Sequence, residues 1–114
     1  MLIIAAISIG IVIIVGFMMA SKRSKREKVP PVYKIVHGGF TFIGAALVLV
    51  AALMGDNRLW TNIILAAIIV ILGIVMALGK VNKSTAKPVL YTHASIGIIC
   101  YAIFLYLVIA SMIA

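Results

Sequence analysis

Residues 32–55, VYKIVHGGFTFIGAALVLVAALMG, hold one lysine and one histidine in a stretch that is otherwise apolar, small, aromatic or hydroxyl-bearing. At about 1.5 Å rise per residue such a run, wound as a helix, crosses the roughly 30 Å hydrocarbon core of a bilayer. Reading outward from it for runs of the same kind gives three more, at 2–20, 59–78 and 89–113. The expectation is an all-α membrane protein, a single bundle of four transmembrane helices spanning residues 1–114.

Composition excludes the alternatives. The 114 residues are 66% hydrophobic and 11% charged, too few charges to clothe a soluble domain. The net charge of +8 does not point to nucleic acid, because the basic residues flank apolar segments instead of lining a face interleaved with aromatics. One cysteine, Cys100, rules out an internal disulfide framework. Deep in an apolar run, it reads as a small packing residue.

Loop charge sets the orientation. Residues 21–34 carry Lys22, Arg23, Lys25, Arg26, Lys28 and Lys34, and residues 79–88 carry Lys80, Lys83 and Lys87; the link between the second and third spans has only Arg58. The positive-inside rule then puts loops 21–34 and 79–88 in the cytoplasm and both termini outside, in a multi-pass protein of the cell (plasma) membrane. No basic region precedes the first span and a basic cluster follows it, which is the order of a retained anchor and not of a cleaved leader. The stretch 21–31 reads as a basic cytoplasmic linker that attracts anionic headgroups, with Pro31 suited to the first turn of the next helix. GDNRLW, residues 55–60, reads as the tight outer turn, with Trp60 as interfacial anchor.

The chain has two histidines, His37 six residues after Pro31 and His93 five after Pro88. On parallel helices both are expected at one depth, roughly 8–9 Å from the helix start. PVYKIVHGGFTFIG and PVLYTHASIGIIC share a Pro-Val start, a tyrosine before the histidine and small residues after it, a weak internal repeat of helix pairs. His37 shares a face with Thr41 and Gly44, and His93 with Gly97 and Cys100, so a strip of small residues lies beneath each imidazole. Two facing neutral imidazoles in a helical bundle suit bis-histidine haem ligation, with His37 and His93 as axial metal ligands and Thr41, Gly44 and Gly97 giving clearance for the porphyrin. Lys34, Lys87, Tyr33 and Tyr91 are the cationic and hydroxyl donors expected for its propionates. Close packing of a neighbouring helix against HGG explains the same residues without a cofactor.

Four helices with histidines only on the second and fourth, over HGGFTFIG and HASIG, resemble the membrane b-type cytochromes of the cytochrome b561 and quinone-linked cytochrome b group. Members commonly carry two haems near opposite faces. With one histidine pair, the resemblance implies one haem b on the cytoplasmic side, exchanging electrons with a cytoplasmic donor, a membrane quinone or a larger complex. The function expected is therefore an electron-transfer protein or subunit instead of a stand-alone catalyst. The competing expectation is a cofactor-free structural or assembly subunit of a membrane complex or homo-oligomer, using GAALVLVAAL and GIVMAL as packing faces. A proton-coupled exporter lacks its intramembrane carboxylate, since Glu27 and Asp56 both fall in loops.

Overall fold

Four helices account for nearly all of the chain: α1 (Leu2–Ser24), α2 (Pro31–Leu53), α3 (Trp60–Ala77) and α4 (Lys83–Ile113), with a 3₁₀ turn at Asn57–Leu59 before α3. The computed structural model describes residues 1–79 and 82–114, and of Lys83 the backbone alone. Lys80 of the second basic loop lies outside the described residues, as does the Lys83 side chain. No strand occurs among the described residues, and all four helices are long and apolar enough to cross a membrane. Their apolar residues encircle the helix instead of forming one stripe, as expected where lipid surrounds the bundle. Ile35, Phe42 and Tyr106 accordingly face outward.

The helix ends differ from the expected spans by more than two residues in two places. α1 continues past residue 20 to Ser24, because Ser21–Ser24 contain no breaker. It stops where Arg26 takes a left-handed φ of 57° and the Glu27 N–H reaches back to the Lys22 carbonyl at 2.9 Å. That closure usually uses glycine. The linker is thereby shortened to residues 25–30. α4 begins at Lys83, not residue 89, so Pro88 lies inside the helix. Proline's missing N–H leaves the Ser84 carbonyl without its helical partner in the second turn. Pro31, as expected, opens α2.

The α2–α3 link closes with Gly55 at φ 112°, a conformation open to glycine, and an Asp56 N–H bond to the Ala51 carbonyl. Asp56 then accepts from the Arg58 guanidinium at 2.8 and 2.9 Å and from the Arg58 N–H, which fixes the 3₁₀ turn. The Arg58 guanidinium holds the Asp56 carboxyl below its ordinary range.

α1 packs on α2 and α4, and α3 on α4 and more loosely on α2, so α2 and α4 face each other across the bundle. The core of Ala5, Ala6, Val48, Ala51, Ala52, Leu59, Phe104 and Val108 occupies the end nearest the 55–60 turn. Its alanines let the backbones approach closely. Toward the opposite, basic end the helices separate around cavities, and the histidines lie between these two regions.

Candidate functional site

A side chain on a helix hangs over the carbonyl four residues earlier, because each Cα–Cβ bond tilts toward the N-terminus. A glycine therefore uncovers the carbonyl at i−4. α1 and α3 use this three times. Gly16 uncovers Val12 O, which lies 3.0 Å from Nδ1 of His37; Gly73 uncovers Ile69 O, 2.9 Å from Nδ1 of His93; Gly10 uncovers Ala6 O, which accepts from the Tyr101 hydroxyl at 3.0 Å. A Cβ on these glycines would lie 3.1 Å from His37 Cε1, 3.2 Å from His93 Cε1 and 2.9 Å from the Tyr101 hydroxyl oxygen. Each glycine is the seat of one ring.

The two histidine seats fix the chemistry of the imidazoles. A carbonyl only accepts, so Nδ1 carries the proton on both rings, and in the neutral form Nε2 is left with a bare lone pair. Neither Nε2 hydrogen-bonds a described residue. The rings come from diagonal helices, with centroids 6.4 Å apart and planes inclined by 48°. An imidazole nitrogen sits about 2.0 Å from a bound metal and about 1.1 Å from its ring centre, so two imidazoles on opposite sides of one ion would have centres roughly 6.2 Å apart. Nδ1–H donation to a backbone carbonyl is also the usual outer support of a metal-ligating histidine.

The donor set is two imidazoles, the number that ligation of one haem would take and fewer than a zinc site takes. Structural zinc needs four ligands, and among the described residues no third His, Cys, Asp or Glu joins a pair. The Cys100 thiol is engaged elsewhere, donating to the Asn62 backbone carbonyl at 3.6 Å.

The other expected site residues are distributed differently. The room at Gly44 is filled by α1, since a Cβ there would lie 2.7 Å from Ile9 Cγ1; this glycine serves helix packing and not clearance for a cofactor. Thr41 donates to the His37 carbonyl at 2.6 Å, within its own helix. Gly97 faces open space, as do Gly38 and Gly39. Lys34 is exposed. Tyr33 lies in a cavity of about 410 Å³ on the α1–α2 side, with Lys22 Nζ 5.8 Å from its ring centre. Tyr91 and Lys87 line a separate cavity of about 730 Å³ bounded by the basic ends of α1, α3 and α4. The structure thus brings the two histidines together and parts the two tyrosines.

Val12, Gly16, Ile69 and Gly73 were not expected from sequence. Their signal is the pair of pentads VIIVG (12–16) and IVILG (69–73), 57 positions apart as the histidines are 56 apart. Compared with known protein families, curated proteins and solved structures, the chain matches none.

Proposed function

We propose that this chain is a membrane-embedded b-type cytochrome or cytochrome-like subunit that carries electrons through one haem b, held by Nε2 of His37 and Nε2 of His93. The observation that supports it most is the imidazole pair, 6.4 Å between ring centres with each Nδ1 tied to a carbonyl of a different helix. A haem held there by His37 and His93 would supply one-electron exchange. The chain's own residues orient the two rings, hold the protons at Nδ1 and keep both Nε2 lone pairs available.

Basic residues in loops 21–34 and 79–88 support a cytoplasmic location for the histidine end and an external location for both termini, in the plasma membrane. A membrane quinone, or a neighbouring subunit of a larger complex, is the natural electron partner for a single haem on that side. The second reading, a cofactor-free structural subunit, draws on the close approach of Gly44 to Ile9 and on the exposed, unpartnered Gly38 and Gly39.

The test is the visible spectrum of protein produced with haem available. Dithionite is expected to bring up sharp Soret and α bands, absent from His37→Ala and from His93→Ala. A colourless wild-type protein that is folded and helical rejects the haem and leaves the structural subunit.

A further inference from the structure

The cavity between the basic ends of α1, α3 and α4 has two cations, Arg23 and Arg26, that the haem reading does not use beside Lys87. Arg23 and Arg26 approach it from α1 and the turn that closes it, and Lys87 from α4, while Phe17, Met76 and Leu90 supply apolar wall. The ion pairs among the described residues are Lys22–Glu27 and Arg58–Asp56, so these three cations have no carboxylate partner there. Its volume of about 730 Å³ falls in the range of about 300–1,000 Å³ typical of small-molecule sites. Phe17 is 57% and Tyr91 66% exposed on its walls, so the cavity opens sideways, toward where lipid lies around an apolar helix bundle.

We infer that this cavity is a binding site for an anionic phospholipid, its phosphate among Arg23, Arg26 and Lys87 and the upper part of its acyl chains against Phe17, Met76 and Leu90. Charge complementarity selects the headgroup: a zwitterionic lipid carries its own cation to the site and gains little there. Each basic residue near a bilayer surface favours an acidic lipid about fivefold, and three around one cavity concentrate that preference at a single place. Lateral opening selects a membrane-dissolved ligand over a water-soluble anion. The inference does not depend on the haem, because it uses neither histidine.

The experiment places full-length protein in phosphatidylcholine vesicles and measures, with spin-labelled phosphatidylglycerol and spin-labelled phosphatidylcholine in turn, how strongly each lipid associates. Wild type is expected to prefer phosphatidylglycerol by on the order of tenfold. Arg23→Gln/Lys87→Gln should reduce the preference to twofold or less, and Leu90→Trp, which fills the cavity without changing charge, should do the same. Lys25→Gln/Lys28→Gln, an equal charge loss outside this cavity, should retain most of it. The site is overturned by no preference in wild type, by equal losses in the two double variants, or by a preference that survives Leu90→Trp. Loss of haem from Arg23→Gln/Lys87→Gln with lipid preference intact would give the cavity to the propionates instead, and likewise overturns it.

Discussion

The α1–α2 and α3–α4 hairpins are built alike at the histidine layer and differently toward the end nearest the 55–60 turn. In both, the even helix supplies a histidine and the odd helix a carbonyl with glycine four residues later. One layer outward, Ala5 and Gly44 correspond by the same spacing to Asn62 and Cys100. In the first hairpin that layer is a close apolar contact, with Ala5 fully buried and Ile9 filling the space beside Gly44. In the second it is polar: Asn62 is 3% exposed and bonds the Cys100 carbonyl, yet its Oδ1 has no partner. The seams between hairpins differ as well. Tyr101 of α4 ties to Ala6 of α1, while Ala45, the position on α2 that corresponds to Tyr101, has no hydroxyl to offer α3, in keeping with the looser α2–α3 contact. The difference indicates that the histidine layer is held to a common form in both halves and the packing around it is not.

The strongest way to break this equivalence is at the seats. Gly16→Val and Gly73→Val put branched carbons where Cβ alone would already stand 3.1 or 3.2 Å from an imidazole carbon. Each is expected to displace its ring and lower the haem-to-protein ratio at least tenfold, to a similar degree in the two halves. If one valine were harmless and the other not, the seats would not be equivalent.

Next in size is the outer layer. Ala5→Asn, which copies the second hairpin into the first, overfills a closed contact and buries an amide without partners, at a cost of about 2–4 kcal/mol. The reverse change, Asn62→Leu, removes an orphaned oxygen and leaves the Cys100 carbonyl its own helical partner, so stability should stay within about 1 kcal/mol of wild type. Equilibrium unfolding in mixed micelles measures both. Comparable losses in the two variants would show that the amide does more than pack.

Tyr101→Phe tests the seam and should cost about 1 kcal/mol, the usual net worth of one hydrogen bond, with the visible spectrum unchanged. The smallest effect is expected at the link between hairpins. Arg58 depresses the Asp56 carboxyl, so the pair's contribution is present above the ordinary aspartate range and is lost as pH falls through the lowered value. The melting temperature of wild type should exceed that of Asp56→Asn slightly at pH 6 and converge with it in acid; a gap that widens in acid contradicts this assignment. Both side chains are partly exposed, which keeps the difference small.

The four spans were legible because uninterrupted apolar length is a strong signal, and the histidine pair because nothing else in the spans resembles it. The bounds at Ser24 and Lys83 were less so: Ser21–Ser24 are polar yet helix-compatible, and Pro88 near a helix start permits a beginning on either side of it. The seats were hidden for a different reason. Their acceptors are backbone carbonyls, which no side chain announces, and a glycine in an apolar helix does not declare which neighbour uses its missing Cβ. Gly44, on the histidine's own helix, suggested clearance for a cofactor, whereas the glycines that admit the rings are Gly16 and Gly73 on the helices opposite.

In the proposed cytochrome the two Nε2 atoms serve one iron. Electron paramagnetic resonance of the oxidised protein, together with its haem-to-chain ratio, tests this most directly. One haem per chain with a low-spin ferric signal is expected, turning high-spin or vanishing in His37→Ala and in His93→Ala alike. A high-spin signal in wild type, or a low-spin signal that survives loss of either histidine, would contradict it.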